Sequence, residues 1–315
     1  MKPYLRPLGF CLLLLFLTAA IGAAQDFPLA RDDPVIRDAV GYLLSCQNDD
    51  GGFNNEPDAE TSSIVPTANA AGALALAGDL NRANKGGNTP LDYLVSNPPG
   101  DDASGGNLGR YVMGIVAAGG DPRDVSGVDY VERLKDEAKP PYGEETLFSE
   151  SYILLGLAAA GESDSAVAKA FVSHLKGKQH SSGGWGWGGG APDLDTTGIA
   201  LCALLAAGED PDSQMVKDAV AYIRTQQSDD GGFASSGMSA DSNAISDYWA
   251  IMALNGAGVG PTEWWKGSET PVSHLLSCQQ ESGVFWWKPD TQGSVGFLVE
   301  ATSYSIIALL GEKLP

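Results

Sequence analysis

Tyr42-Leu-Leu-Ser-Cys-Gln-Asn-Asp-Asp-Gly-Gly-Phe53 returns near the other end of the chain as His274-Leu-Leu-Ser-Cys-Gln-Gln-Glu-Ser-Gly-Val-Phe285. Two further copies lie between them, His174-Leu-Lys-Gly-Lys-Gln-His-Ser-Ser-Gly-Gly-Trp185 and Tyr222-Ile-Arg-Thr-Gln-Gln-Ser-Asp-Asp-Gly-Gly-Phe233. Each reads Gln, three residues, Gly, then Gly or Val, then an aromatic. Weaker copies start at Tyr93, ahead of Gly105-Gly106, and at Tyr130, ahead of Pro140-Pro-Tyr-Gly143. The anchors Tyr42, Tyr93, Tyr130, His174, Tyr222 and His274 are spaced by 51, 37, 44, 48 and 52 residues. A period of that size marks a repeat architecture in which each unit is one helical hairpin plus loops.

The two halves of each unit differ in pattern. The segment before the motif is amphipathic: Ile36, Val40, Leu43 and Leu44 alternate with Asp38, Tyr42 and Ser45, as on a helix with one wet face. The segment after it is apolar nearly all round and rich in Ala and Gly. These second helices are predicted over Thr67–Leu76, Leu108–Ala117, Ser149–Ala158, Thr196–Ala206, Asp247–Leu254 and Thr302–Leu310. Glycines after Ala77, Ala118, Ala160 and Ala207 read as helix stops. Thr67, Thr197, Asp247 and Thr302 read as helix-start residues able to cap free N–H groups. Six wet outer helices and six buried inner helices follow, so the fold class is all-α. An open solenoid needs polar capping repeats, but the first and last repeats here are among the most regular. The ends are therefore expected to pair and close a ring, an α6/α6 toroid with a central cavity.

The first residues stand apart. Lys2 and Arg6 precede an apolar run from Leu8 to Ile21, which ends at Gly22-Ala23-Ala24. That is the form of a secretory signal peptide, with cleavage expected after Ala24 and a single toroid domain over 25–315. The run is short for a bilayer span, which takes about 20 residues. The chain carries 19 basic and 40 acidic residues, a formal charge of −21, and loss of Lys2 and Arg6 takes it to −23. Such a surface repels phosphate backbones and argues against nucleic acid as a partner. A secreted or cell-surface protein without a stable membrane span is expected. Cys46, Cys202 and Cys278 remain after cleavage. Cys46 and Cys278 occupy equivalent places in the first and last repeats. Either a bridge pins the closure or both are buried thiols; helices packed about 8–10 Å apart favour thiols, being too far for the usual bridge. With no CxxC, no HExxH and no run of Cys and His, the sequence supports neither a metal site nor a cofactor. Asp49-Asp50 and Asp229-Asp230 lack the spread of ligands a calcium loop needs and read as turn formers.

The Gln-x-x-x-Gly-Gly-aromatic motif resembles the QW-type repeat of the squalene cyclase and prenyltransferase superfamily, over about Pro34 to Leu314. The resemblance implies the α/α toroid. It also brings several activities to test. Prenyltransferase β subunits bind zinc through Asp, Cys and His, but Ser246-Asp247-Tyr248 and Thr302-Ser303-Tyr304 at the matching helix starts offer only one Asp. The thioester motif Gly-Cys-Gly-Glu-Gln of complement-like rings is absent. Cobalamin carriers share Asp195-Thr196 running to Ala200-Leu201, but they add a β-rich domain not seen here. Class II terpene cyclases carry Asp-x-Asp-Asp at an inner-helix start, and this chain has Asp193-Leu-Asp195-Thr196-Thr197 there. The resemblance makes Asp195 the proton donor beside Asp193. Thr196 replaces the third acid, and the competing reading is that Asp195 or Thr196 simply caps the helix.

The mouth of the ring is expected to be lined by Thr67, Glu150, Tyr152, Thr197, Asp247, Trp249, Thr302 and Tyr304, with Trp185, Trp187 and Trp286 from the adjoining turns. This would be an acidic rim with aromatic walls, suited to a small apolar, planar or cationic ligand. The leading reading is a non-catalytic secreted toroid that binds such a ligand, or a cell-surface protein, in its cavity. The first alternative is a class II terpene cyclase acting through Asp195. The second is a structural envelope or matrix protein.

Overall fold

A computed structural model describes residues 26–314 except 56–58, 141, 143–145, 236–239 and 294. The leader expected over 1–24 lies outside the described residues. Twelve α-helices appear among them: α1 Pro34–Ser45, α2 Ile64–Ala77, α3 Pro90–Ser96, α4 Gly105–Ala117, α5 Tyr130–Glu137, α6 Leu147–Ala159, α7 Ala166–Gly177, α8 Leu194–Ala206, α9 Gln214–Thr225, α10 Ala244–Gly256, α11 Pro271–Ser277 and α12 Leu298–Leu309. None is long and apolar enough to cross a membrane.

The even-numbered helices form the inner layer. Each packs on the next, and α12 packs back on α2, which closes the ring. The inner helices are buried almost all round; in α8 every residue from Thr196 to Leu205 is buried. Outer helix α1, in contrast, buries only Ile36, Ala39, Val40 and Leu43, one stripe of an amphipathic helix. Small residues let the inner helices approach. A Cβ on Gly109 would lie 2.1 Å from the Tyr152 carbonyl oxygen, and one on Gly156 would lie 2.7 Å from Gly109 Cα.

The repeated motif is a stapled turn. Its first glycine holds a left-handed backbone in all four strong copies, with φ of 89° at Gly51, 96° at Gly183, 87° at Gly231 and 87° at Gly283. Only glycine takes that conformation without steric penalty. The motif aromatics Phe53, Trp185, Phe233 and Phe285 are fully buried between repeats. The Gln amide binds its own turn and then reaches onward: Gln179 Nε2 donates to the Met215 carbonyl at 3.0 Å, and Gln227 Nε2 to that of Trp264 at 2.7 Å. Gln279 Nε2 donates to the Val35 carbonyl at 2.8 Å, from the last repeat to the first. Asp50 and Asp230 act as turn formers, accepting from the Gly52 and Gly232 amides at 2.9 and 3.1 Å. Cys46, Cys202 and Cys278 are buried, and no disulfide forms among the described residues.

The inner helices start about one turn earlier than their apolar runs imply. Thr67, Thr197, Asp247 and Thr302 are therefore inside their helices and do not cap them. Their side chains turn to the motif and accept the backbone N–H of its aromatic: Thr67 from Phe53 at 2.9 Å, Thr197 from Trp185 at 2.9 Å, Asp247 from Phe233 at 2.8 Å and Thr302 from Phe285 at 3.1 Å. These bonds fix the motif loop to the inner helix that follows it.

Candidate active site

Those four residues stand in the wall between the layers, because the motif amide they satisfy is buried there. They do not line a central mouth. Glu150 belongs to the same set: its carboxylate meets the His174 ring at 3.1 Å, tying α6 to α7. Trp185 is also structural, its indole N–H donating to the Leu175 carbonyl at 2.8 Å. Trp286 is half-buried, outside the aromatic cluster described next.

Tyr152, Trp249 and Tyr304 do come together, inside the ring. With Tyr248 they form one aromatic cluster: Tyr248 and Tyr304 centroids lie 5.2 Å apart, Trp249 and Tyr304 5.1 Å, and Tyr152 and Trp249 6.3 Å. Phe148 adds edge contacts to Tyr152 and Trp249 and stacks on Trp187 at 5.3 Å. Trp187 is 56% exposed, so this aromatic path runs from solvent at the N-terminal ends of the inner helices into the ring. The Tyr304 hydroxyl donates to Asn69 Oδ1 at 3.1 Å, which leaves the Tyr152 hydroxyl to donate to Tyr304 at 3.0 Å.

Asp193 and Asp195 divide their roles clearly. Asp193 is the N-cap of α8, accepting from the Thr196 amide at 2.8 Å and the Trp187 amide at 3.0 Å. The cap expected of Asp195 or Thr196 thus belongs to Asp193. Asp195, two residues on, is half-buried, and its Oδ1 is inaccessible and without a hydrogen-bond partner among the described residues. Burial pushes its carboxyl up to about 6; the hydroxyls of Ser246 and Ser235 temper that shift, and the charges of Asp193 and Asp247 add to it. Asp193 is committed to two backbone donors, whereas Asp195 retains a proton at mildly acidic pH, the state a general acid requires.

Three features escaped the sequence reading. Arg110, the one charged residue of α4, stands 3.7 Å over the Tyr152 ring. Glu300, the one charged residue of α12, has its carboxyl raised by burial against the opposing pull of Arg110. A lone charge on an otherwise apolar inner helix was the available signal for both. The third feature corrects the absence of any Cys and His grouping: Asp247, His274 and Cys278 bring ligand atoms within 4.8 Å of one another. Linear spacing hides the set because Asp247 comes from a different helix. Its atoms are largely committed already. Asp247 Oδ1 takes the Phe233 amide and Oδ2 holds His274 Nδ1 at 2.6 Å. Glu150 and His174 repeat that pair elsewhere in the ring, which marks it as an interlayer staple.

A cavity of about 320 Å³ opens at the C-terminal ends of α2, α4 and α12. Arg110, Asn69 and Tyr304 belong to its lining, and Asp195 does not. Tyr248, which feels the charge of Asp195, packs on Tyr304, so the aromatic cluster stands between the acid and this cavity.

The family model for the squalene-hopene cyclase C-terminal domain matches residues 150–307, and that for the prenyltransferase alpha-alpha toroid domain matches 11–110. The chain belongs to the squalene-hopene cyclase C-terminal domain family. Among solved structures, it is similar to the type II terpene cyclase MstE from Scytonema, with TM-score 0.63 and 17% identity over 88% of this chain and 96% of that one. A protein from Actinoplanes gives TM-score 0.56 and 16% identity over 88% and 98%. The ent-copalyl diphosphate synthase from Streptomyces platensis gives 0.53 and 14% over 79% of this chain and 50% of that one. At these identities the likeness establishes the toroid fold. No curated protein matches the chain.

Proposed function

We propose that this protein is a protonation-initiated, class II type terpene cyclase with Asp195 as proton donor. The observation that carries the reading is the state of Asp195: partly buried, raised to about 6, with Oδ1 unpaired among the described residues, and close enough to Tyr248 of the aromatic cluster for its charge to be felt there. The family, and the likeness to MstE, a type II cyclase solved with the substrate geranylgeranyl dihydroxybenzoate, point the same way. In the proposed reaction the Asp195 proton adds to one carbon of an isoprenoid double bond. The π electrons form the new C–H bond and leave a cation on the neighbouring carbon. A second double bond of the same chain attacks that carbon and closes a ring; the product cation then gives up a proton to water as its C–H electrons form a double bond, and the Asp195 carboxylate takes one back from water. The net change is an isomerisation. The faces of Phe148, Trp187 and Trp249 can steady the cation. The test is incubation of purified protein with linear polyprenes and mass-spectrometric analysis of the extract. An isomeric cyclic product, abolished in Asp195→Asn, is expected; unchanged polyprene with wild-type protein would sink the reading.

One observation favours a second reading, a non-catalytic toroid that holds a small molecule: the cavity is lined without Asp195. On that reading a bound compound is released unchanged, and Asp195→Asn retains it. Export is proposed on the leader alone. Protein recovered outside the cell is expected to begin at Gln25.

A further inference from the structure

We infer that the cavity between α2, α4 and α12 is a binding site for a single-chain carboxylic amphiphile of about ten carbons, its carboxylate held by Arg110 and Asn69. The walls are mostly apolar, with Gly72, Leu76, Met113, Val116 and Ile307 around the space, and Glu312 and Lys313 belong to the lining as an opposed pair of charges. The inner end is polar and unfinished. Asn69 is 7% exposed, its Oδ1 takes the Tyr304 hydroxyl, and its Nδ2 has no partner among the described residues. Arg110 Nε likewise has no partner. The Arg110 guanidinium has a 3.5 Å bond to Asn107 Oδ1, a side-chain hydrogen bond with Tyr152 and the Tyr152 ring beneath it, and no described carboxylate lies within ion-pair distance of it. An enclosed N–H left unpaired on a half-buried guanidinium, and a buried amide donor left open, are each unfavourable. A planar acceptor with two oxygens can satisfy both once the two side chains turn their enclosed N–H groups toward it, because a guanidinium edge matches a carboxylate.

Charge and size narrow the ligand. Glu300 lies close enough to Arg110 to offset part of its charge, so a singly charged head fits better than a phosphate dianion. From Asn69 to Leu76, and from Arg110 to Ala117, the cavity runs seven residues of helix, about 10 Å at 1.5 Å per residue. Its volume of about 320 Å³ holds roughly eleven groups of about 30 Å³ each, the share of a water molecule in the liquid. Ten carbons and two oxygens fit the length and come within about one group of the volume. The inference does not rest on Asp195 chemistry, since that carboxyl lies beyond the aromatic cluster.

The test is calorimetric titration of purified protein with decanoate and with decylammonium. Decanoate is expected to bind one to one, at least tenfold more tightly than decylammonium. Gly72→Leu fills the cavity where an added Cβ meets nothing within 4 Å; it is expected to weaken decanoate at least tenfold without lowering Tm. Arg110→Gln is expected to abolish the preference between the two heads. Equal binding of decanoate and decylammonium by wild-type protein, or unaltered decanoate binding by Gly72→Leu, would overturn the assignment. Those two measurements decide it even if Arg110→Gln does not fold. Polyprene turnover is read in a separate assay, so failure of either proposal is distinguishable from failure of the other.

Discussion

Gln279 of the last repeat donates its side-chain amide to the backbone carbonyl of Val35 in the first, at 2.8 Å. The same amide bridges Gln179 to Met215 and Gln227 to Trp264. The bond that joins neighbours around the ring therefore also closes it. An inward-facing repeat that binds its successor through one side chain needs no capping unit if the last successor is the first repeat.

Gln279→Ala is expected to destabilise the protein by about 0.5–1.5 kcal/mol, the net worth of a hydrogen bond of this kind. Gln47 is the control, since its amide donates only within its own turn, to Gly51. Denaturant midpoints should place Gln279→Ala below Gln47→Ala; equal midpoints would contradict the closing role.

Gly109 and Gly72 lie on adjacent inner helices with opposite surroundings. Gly109→Ala drives a methyl to within 2.1 Å of the Tyr152 carbonyl oxygen, and overpacking of this kind typically destabilises by about 1–3 kcal/mol. Gly72→Ala enters open space and gains helix propensity of about 1 kcal/mol. The Tm values should move in opposite directions.

Asp195 links activity to stability. Its carboxyl is raised from 3.8 to about 6 in the fold. A raised carboxyl favours folding only while protonated, so its contribution is full below pH 3.8 and is lost as pH rises through about 6. Above that pH the buried charge opposes folding by up to about 3 kcal/mol, at 1.36 kcal/mol per pKa unit. Asp195→Asn should thus be inactive yet more stable than wild type at pH 7, with the gain vanishing below about pH 4. Paired pH-dependent unfolding curves test this; a variant less stable than wild type at pH 7 would refute it.

His174 and His274 occupy equivalent places, each against an inner-helix acid, yet they should titrate on opposite sides of 6.5. Burial lowers His174, and Lys178 lowers it further. Burial also opposes the charged form of His274, but Asp247 at 2.6 Å, with Asp230 and Glu269 around it, raises the ring overall. Stability from the Asp247–His274 pair is then full below pH 6.5 and fades as pH rises through the elevated His274 value. Imidazole resonances followed by NMR across pH 5–9 would show the order, and the reverse order would break the argument.

The sequence by itself determined the repeat, the two kinds of helix, the ring and the family. Each of these follows from a local rule: a left-handed glycine in the turn, an apolar stripe on α1, an apolar surface all round α8. Tyr152, Trp249 and Tyr304 were legible as interior residues for the same reason, being large aromatics on helices with no wet face. What a polar residue on an inner helix faces was decided only by the tertiary structure. Thr197 and Asp195 sit two positions apart on α8, about 200° around the helix at 3.6 residues per turn. One side chain therefore turns outward to staple Trp185 and the other inward, while Asp193 takes the cap. Helix phase relative to a neighbour depends on where packing starts the helix, one turn before the apolar run, and no residue type encodes that. Asn69, Arg110 and Tyr304 come from three different helices, so the cavity lining they share exists only once α12 has closed onto α2.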